Sequence, residues 1–464
     1  MSWSAFLPEG IAIAAALMAL IAELFGSREK RWLGYALAAG FAAALAADVA
    51  IMVSGLSGTA FYDGYRIDGM AAIFKAVLLA VSAIAALGVA RAEGEVHRGE
   101  FYLLMSLSVL GAMAMASAGD LLVLFIALEL TVLPSYAMAA LKRDRRSAEA
   151  ALKYFLLGML ASAIFIYGAT LIFGFTGSIS FTGIADALSR NGVSPIVIVG
   201  LVALVAGLGF KVSAVPFHFW APDICEGVDA SVAPYLAVGP KAGGFAALVH
   251  LFPLAFGSIG AAWTSLFAII AVASMFVGNL SALSQTHVRR LLGYSGIAHA
   301  GYLLVGLAVM EGYARTSLAF YFLAYSAATL GAFLVVLAAS SSVGESVEDF
   351  AGLSRRAPGL SLAMAVFLFS LVGLPPLAGF IGKFYLFLAA VRGGLTWLAV
   401  VGVVNSVISL GYYSSIIRQM YLVKPISTSA VSAPWALKGA IYLLVAVICI
   451  VGLYPSFILS YIKV

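Results

Sequence analysis

Charge is scarce in this chain of 464 residues: Lys, Arg, Asp and Glu together make 10% of it, against 63% hydrophobic residues. So little charge cannot cover a water-facing surface, which excludes a soluble globular enzyme and leaves an all-α polytopic membrane protein. Cysteine is almost missing as well. Cys225 and Cys449 stand far apart without metal-ligand spacing. There is no CxxC, no glycine-rich phosphate loop and no histidine pair at i, i+4 spacing among the five histidines. The pattern holds no recognisable cradle for a flavin, haem, iron–sulfur cluster or metal, so no cofactor is expected in this chain. If it serves a redox machine, the redox centres lie elsewhere. The net charge of +5 is spread over short loops and speaks of membrane orientation, with no nucleic-acid partner.

What is present is apolar sequence long enough to cross a bilayer many times, at about 20 residues per crossing. Fourteen candidate transmembrane segments are expected, at about 4–25, 32–54, 69–91, 101–118, 120–141, 148–174, 194–214, 228–252, 259–281, 288–309, 314–340, 359–390, 396–422 and 436–459. Residues 1–25 lack a basic start and carry Glu9 and Glu23, so they read as a permanent first span and not as a cleaved signal. Sixteen Lys and Arg, from Arg28, Lys30 and Arg31 through Arg91 and Arg98 to Lys438, fall in loops after odd-numbered spans. Five (Arg66, Arg190, Arg315, Arg392, Lys463) fall on the other side, and Lys75, Lys153, Lys211, Lys241 and Lys383 lie inside spans. The positive-inside rule makes the sixteen cytoplasmic and puts both termini on the far, periplasmic side of an inner membrane.

Glu129, Lys211, Lys241 and Lys383 each sit within long apolar runs. A charge at the centre of a spanning helix costs roughly 2.5–3.5 kcal/mol on insertion scales. Four of them ask for on the order of 10 kcal/mol unless they face water, one another or the protein interior. Pro216 follows Lys211 by five residues, Pro240 immediately precedes Lys241, and Pro375 and Pro376 precede Lys383 by eight and seven. Such prolines read either as ordinary kinks or as helix breaks that build a hydrated mid-membrane site, and three beside buried lysines favour the breaks. Lysine suits proton exchange because desolvation lowers its pKa, whereas arginine stays charged. Glu129 and Lys211 are expected to pair, the alternative being a static ion pair that fixes helix packing.

Other polar groups leave more than one reading open. Lys153 either serves transport or snorkels to the surface. Lys75 snorkels or is ion-paired. His218, His250 and His299 read as proton relays or as satisfied structural groups. Asp223, Glu226 and Asp229 read as loop charges, or as a partner contact.

The segments GFKVSAVPFHFWAPDICEG, YLAVGPKAGGFAAL, RRLLGYSGIAHAGYLLVG and EDFAGLSRRAP…GLPPLAGFIGKFYLFLAAV resemble the antiporter-like membrane subunits of respiratory complex I, most of all the subunit N type of bacterial NADH-quinone oxidoreductase. The resemblance runs from about residue 100 to 420. It implies two inverted five-helix repeats, spans four to eight over 101–258 and nine to thirteen over 259–423. A three-helix segment (1–100) precedes them, one helix (424–464) follows, and spans seven and twelve are broken. It also implies a proton relay in which Glu129 pairs with Lys211, Lys241 is the central station and Lys383 lies towards the exit, with Lys153, His218 and His299 as further candidates. Subunits of the M and K types would be neighbours, and NADH, FMN, iron–sulfur clusters and quinone would belong to partner subunits. A cation/proton antiporter subunit and the membrane arm of an energy-converting hydrogenase are the rival readings; a passive scaffold whose ion pairs only hold helices together is a third. The chain departs from the family pattern in DICEGVDASVAPY and at Gly296, where serine is usual.

Overall fold

The computed structural model describes residues 3–25, 31–90, 98–309, 313–340, 342–425, 431 and 433–461. Arg28, Lys30, Arg91 and Lys463, which entered the orientation argument, lie outside them. In a bilayer every backbone N–H and C=O must find a partner within the protein, and apolar helices do this locally. The fourteen expected segments accordingly all contain helix. In the first hundred residues these are α1 (Leu7–Phe25), α2 (Arg31–Ser54) and α3 (Gly69–Val89). Between α2 and α3 a short hairpin, β1 (Gly58–Ala60) and β2 (Tyr65–Ile67), departs from the all-α expectation. It is kept short by its turn, where Phe61, Tyr62 and Asp63 all take positive φ.

Then come α4 (Arg98–Ala116), α5 (Leu121–Ala139) and α6 (Arg145–Thr176). Asp120 and Asp144 cap α5 and α6 by accepting from Val123 N and Ser147 N at 2.6 and 2.7 Å. The next helix, α7 (Phe181–Asn191), is a short amphipathic one that was not expected; it buries Phe181, Ile184, Ala187 and Leu188. The expected seventh span is α8 (Pro195–Lys211), which stops at Lys211 and resumes after a turn as α9 (Trp220–Gly227). Ser213 in that turn has a φ of 57°. Phe210 O, which loses its i+4 donor at the interruption, accepts Ser213 N–H at 3.1 Å and the indole Nε1–H of Trp220 at 2.9 Å.

The second half opens with α10 (Ala233–Phe256), joined by a 3-10 turn to α11 (Gly260–Leu283), and then α12 (Val288–Val309) and α13 (Tyr313–Ser340). After a one-turn α14 (Leu353–Arg356), the expected twelfth span is split into α15 (Pro358–Val372) and α16 (Ala378–Arg392) around Gly373, whose φ is 92°. α17 (Thr396–Leu422), α18 (Trp435–Leu453) and the short α19 (Pro455–Tyr461) complete the chain. The expected break at Pro240 is not there: α10 runs through both Pro240 and Pro253. A proline removes one backbone hydrogen bond and need not end a helix that neighbours hold on every side. Residues 233–252 of α10 are all buried.

Among the described residues, eleven helical stretches are long and apolar enough to cross a membrane, with Ala233–Leu283 counted as one; α8 and α15 are shorter apolar helices. Burial is uneven. α12 and α13 lie almost wholly inside, while α1, α2, α6 and α17 turn most of their apolar surface outward.

Candidate functional site

The apolar core encloses four lysines, Lys75, Lys211, Lys241 and Lys383, each between 1% and 5% exposed. Three of them lie along one internal seam formed by the broken helices and by α10, α12 and α13.

Lys211 ends α8 at the first interruption. Its stem packs beside Gly244 of α10, one turn beyond Lys241, where an added Cβ would stand 3.2 Å from Lys211 Cγ. Glu129 on α5 is the carboxylate within electrostatic range. The two form no ion pair, and both Lys211 Nζ and Glu129 Oε1 are buried without a hydrogen-bond partner.

Lys241 lies on the unbroken α10. Its ammonium donates to the Gly296 carbonyl at 3.0 Å and to Tyr325 Oη at 3.4 Å. A small cavity adjoins it, walled by Trp220, Cys225, Gly296, Tyr325 and Thr329. The backbone approaches closely because residue 296 has no side chain; a Cβ there would stand 3.0 Å from Lys241 Nζ.

His299 is the next member. Its Nδ1 is 2.6 Å from Tyr321 Oη, and its Nε2 is 3.2 Å from Tyr413 Oη, which in turn hydrogen-bonds Ser295 Oγ. The ring lies 5.1 Å from that of Tyr325 and 5.5 Å from that of Tyr302. Tyr325 links it to Lys241, and Tyr302 links it to Lys383.

Lys383, on α16, donates to the Val372 carbonyl at 3.0 Å and to Ser406 Oγ at 3.1 Å. The accepting carbonyl belongs to the last residue of α15, at the interruption. The ammonium also sits 4.3 Å from the centroid of the Tyr302 ring, a cation–π contact. Tyr302 Oη meets Asn279 Nδ2 at 3.3 Å, and Asn279 bonds Asn405 and Tyr412 at 3.1 and 3.0 Å.

The remaining candidates lie off this seam. Lys153 is on the surface, bonded to Glu149 at 2.9 Å and Asp223 at 3.1 Å. Asp223 and Glu226 also hold Arg290 at 2.8 and 2.9 Å, and Glu226 reaches Arg146 at 3.2 Å. Asp223 and Glu226, read as loop charges or a partner contact, instead sit on α9 and tie it to α6 and α12. Asp229 stays local, accepting from Ser231 N at 2.8 Å. His218, buried in the turn before α9, stacks on Phe219 with ring centroids 4.4 Å apart and leaves Nδ1 unpartnered. His250 bonds Asp68, the cap of α3, at 3.1 Å. Lys75 is ion-paired, to Glu9 at 2.6 Å.

Tyr302, Tyr321, Tyr325, Tyr413, Ser295, Asn279 and Ser406 were missed in the sequence. A signal existed for some of them: Ser295 and Tyr302 stand four before and three after His299, and Tyr321 and Tyr325 are four apart, the spacings that share a helix face.

A helical membrane protein whose interior carries lysines, a histidine and tyrosines in contact belongs to the ion-translocating class. More narrowly, the chain belongs to the NADH:quinone oxidoreductase/Mrp antiporter transmembrane family, whose pattern matches residues 118–409. It is 42% identical over 431 residues to the NADH-quinone oxidoreductase subunit N of Rubrobacter xylanophilus, covering 91% of this chain and 89% of that one. It is 37% identical over 469 residues to the F(420)H(2) dehydrogenase subunit N of Methanosarcina mazei, covering 97% and 95%. Among solved structures, a chain of respiratory complex I from Thermus thermophilus superposes with a TM-score of 0.84 at 34% identity, covering 98% of both chains.

Proposed function

We propose that this chain is the subunit N type of a proton-translocating NADH-quinone oxidoreductase in a bacterial inner membrane, and that Glu129, Lys211, Lys241 and Lys383 carry the proton. Near-full-length similarity to subunit N proteins supports the complex. The observation that carries the relay is the seam itself: buried ammonium groups at two helix interruptions and on α10, the second and third linked through Tyr325, His299 and Tyr302.

The chemistry follows from position. Lys211 loses or keeps a proton as Glu129 recedes or approaches. Lys241 can pass one to Tyr325, and His299, with a hydroxyl at each ring nitrogen, can accept on one side and release on the other. Lys383 receives it beside the Val372 carbonyl and a serine. His218 supplies a further titratable group near the first interruption, and Lys153 acts from the surface by holding α9. Fourteen crossings follow if the joined pair α10–α11 counts as two and each broken pair as one. Both termini are then periplasmic. The two inverted repeats correspond to 101–258 and 259–423, each with one interrupted helix. Partner subunits of the M and K types flank the chain. The peripheral arm supplies NADH oxidation, FMN, iron–sulfur clusters and quinone reduction, none of which this chain needs to bind.

The test is Lys241→Ala and Lys383→Ala in the assembled complex. Assembly should be retained while proton transport per complex falls severely. Transport that survives both substitutions removes the relay. The resemblance to an F(420)H(2) dehydrogenase subunit favours a second reading, a related complex with another electron donor. Purification of the tagged chain in mild detergent, with mass spectrometry of what travels with it, separates the two. It also distinguishes either from an antiporter assembly without redox proteins.

A further inference from the structure

The first three long helices bury a second set of charges that the relay does not use. Lys75 donates to Glu9 Oε1 at 2.6 Å and to Tyr65 Oη at 2.9 Å, and Tyr65 Oη donates to the same Glu9 oxygen at 2.5 Å. Asp48, on α2, lies within electrostatic reach of both Lys75 and Glu9. It is 3% exposed, and its Oδ2 is buried without a hydrogen-bond partner. Glu9 Oε2 is likewise buried and unpartnered. The titratable groups that meet here are therefore Glu9 from α1, Asp48 from α2, Tyr65 from β2 and Lys75 from α3.

The charges do not balance. Two carboxylates share one ammonium, and that ammonium is committed to Glu9 and Tyr65. A buried carboxylate without a partner is far costlier than the neutral acid, whose O–H can find an acceptor and whose charge needs no solvation. One proton on Asp48 neutralises the surplus carboxylate and leaves Glu9 and Lys75 as a balanced pair. Glu9 offers the way out, since its side chain is 15% exposed while that of Lys75 is 6%.

We propose that Asp48 is a proton-binding site, holding its proton as the carboxylic acid and exchanging it with water by way of Glu9. In the exchange the O–H bond at Asp48 breaks and one forms at Glu9, which weakens the Glu9–Lys75 pair. Glu9 then yields the proton to water and recovers its ion pair. One proton is bound or released, with no change in oxidation state. The site stands apart from Glu129, Lys211, Lys241 and Lys383 and does not depend on their roles.

Infrared spectroscopy of the intact complex tests it. The wild type should show the carbonyl stretch of a protonated carboxylic acid that is absent in Asp48→Asn and retained in Glu129→Gln. Glu9→Gln should keep the band but slow its deuterium exchange. Carboxyl-labelled aspartate should shift the band in the wild type, a measurement that needs no variant to assemble. Identical spectra for wild type and Asp48→Asn, with no label shift, would mean that Asp48 is ionised and would overturn the site. A band that appears only when sodium and potassium are replaced by choline would assign the site to a monovalent cation and overturn the proton. Unchanged exchange in Glu9→Gln would overturn the route.

Discussion

At the scale of single residues, the seam depends on what is small as much as on what is charged. Gly296 lets its carbonyl meet Lys241 and leaves no Cβ to push the ammonium away. Gly296→Ala places a carbon 3.0 Å from Lys241 Nζ and 3.3 Å from Tyr325 Oη, both ends of side chains that can shift. Since these ends can give way and serine is usual here in the resembling family, the substituted protein should fold and assemble normally and transport per complex should change only slightly. Assembly yield and proton uptake in vesicles, measured together, check both. His299 makes the complementary case. Replacing it by Phe preserves the ring and removes both nitrogens that meet Tyr321 and Tyr413. Loss of a positioned proton donor and acceptor costs roughly 100-fold or more where proton transfer limits the rate. His299→Phe should accordingly stop transport, and because it leaves the buried Tyr321 hydroxyl without its partner it should also cost about 1–3 kcal/mol, so transport is scored per assembled complex.

Helices in this protein are held by close backbone approach and by ion pairs at their ends. Gly278 on α11 faces α12 so closely that a Cβ would lie 2.5 Å from Ala298 N and 2.8 Å from Tyr294 O. Backbone cannot move aside as the Lys241 side chain can. Gly278→Ala should cost about 1–3 kcal/mol through overpacking and lower the thermal stability of the assembled protein. At the start of α12, Arg289 and the preceding His287 hold Glu345, in the loop after α13, at 2.6 and 3.2 Å. Burial would raise its pKa, but His287 and Arg289 outweigh it and bring the carboxyl down from the usual 4.5 to about 2. A carboxyl lowered on folding adds stability that is full above its unfolded pKa and is lost as pH falls through the folded one. The contribution of this cluster should fade between about pH 4.5 and pH 2. Melting curves of wild type and Glu345→Gln across that window should converge at the acid end; a constant gap would mean that Glu345 does not titrate there.

At the scale of the whole molecule, α9 links the surface to the seam. One face carries Asp223 and Glu226, bonded to Lys153, Arg146 and Arg290, and the other walls the Lys241 cavity with Trp220 and Cys225. Among the described residues, α1, α2, α6 and α17 turn apolar faces outward. An even number of crossings puts both termini on one side. Tags at the two ends should both react with an impermeant reagent added to the periplasmic face; opposite exposure would mean an odd number of crossings.

Sequence by itself determined the membrane class, most helical segments and which lysines stand in apolar surroundings, because each is a local property. A run of apolar residues must satisfy its own backbone in lipid, and a lysine in such a run is costly wherever it faces. The interruptions after Lys211 and before Lys383 were legible from their prolines for the same reason. Pro240 was misread, since whether a helix survives a proline depends on the neighbours that hold it. The hairpin and α7 were too short to register among long apolar spans. Tertiary structure alone decided which partners the charges found: Lys241 with Gly296 and Tyr325, Lys75 with Glu9 and Tyr65, Asp223 with Lys153 and Arg290. These contacts join elements between 10 and 84 residues apart. No local pattern encodes them, because they exist only once packing has placed the helices side by side.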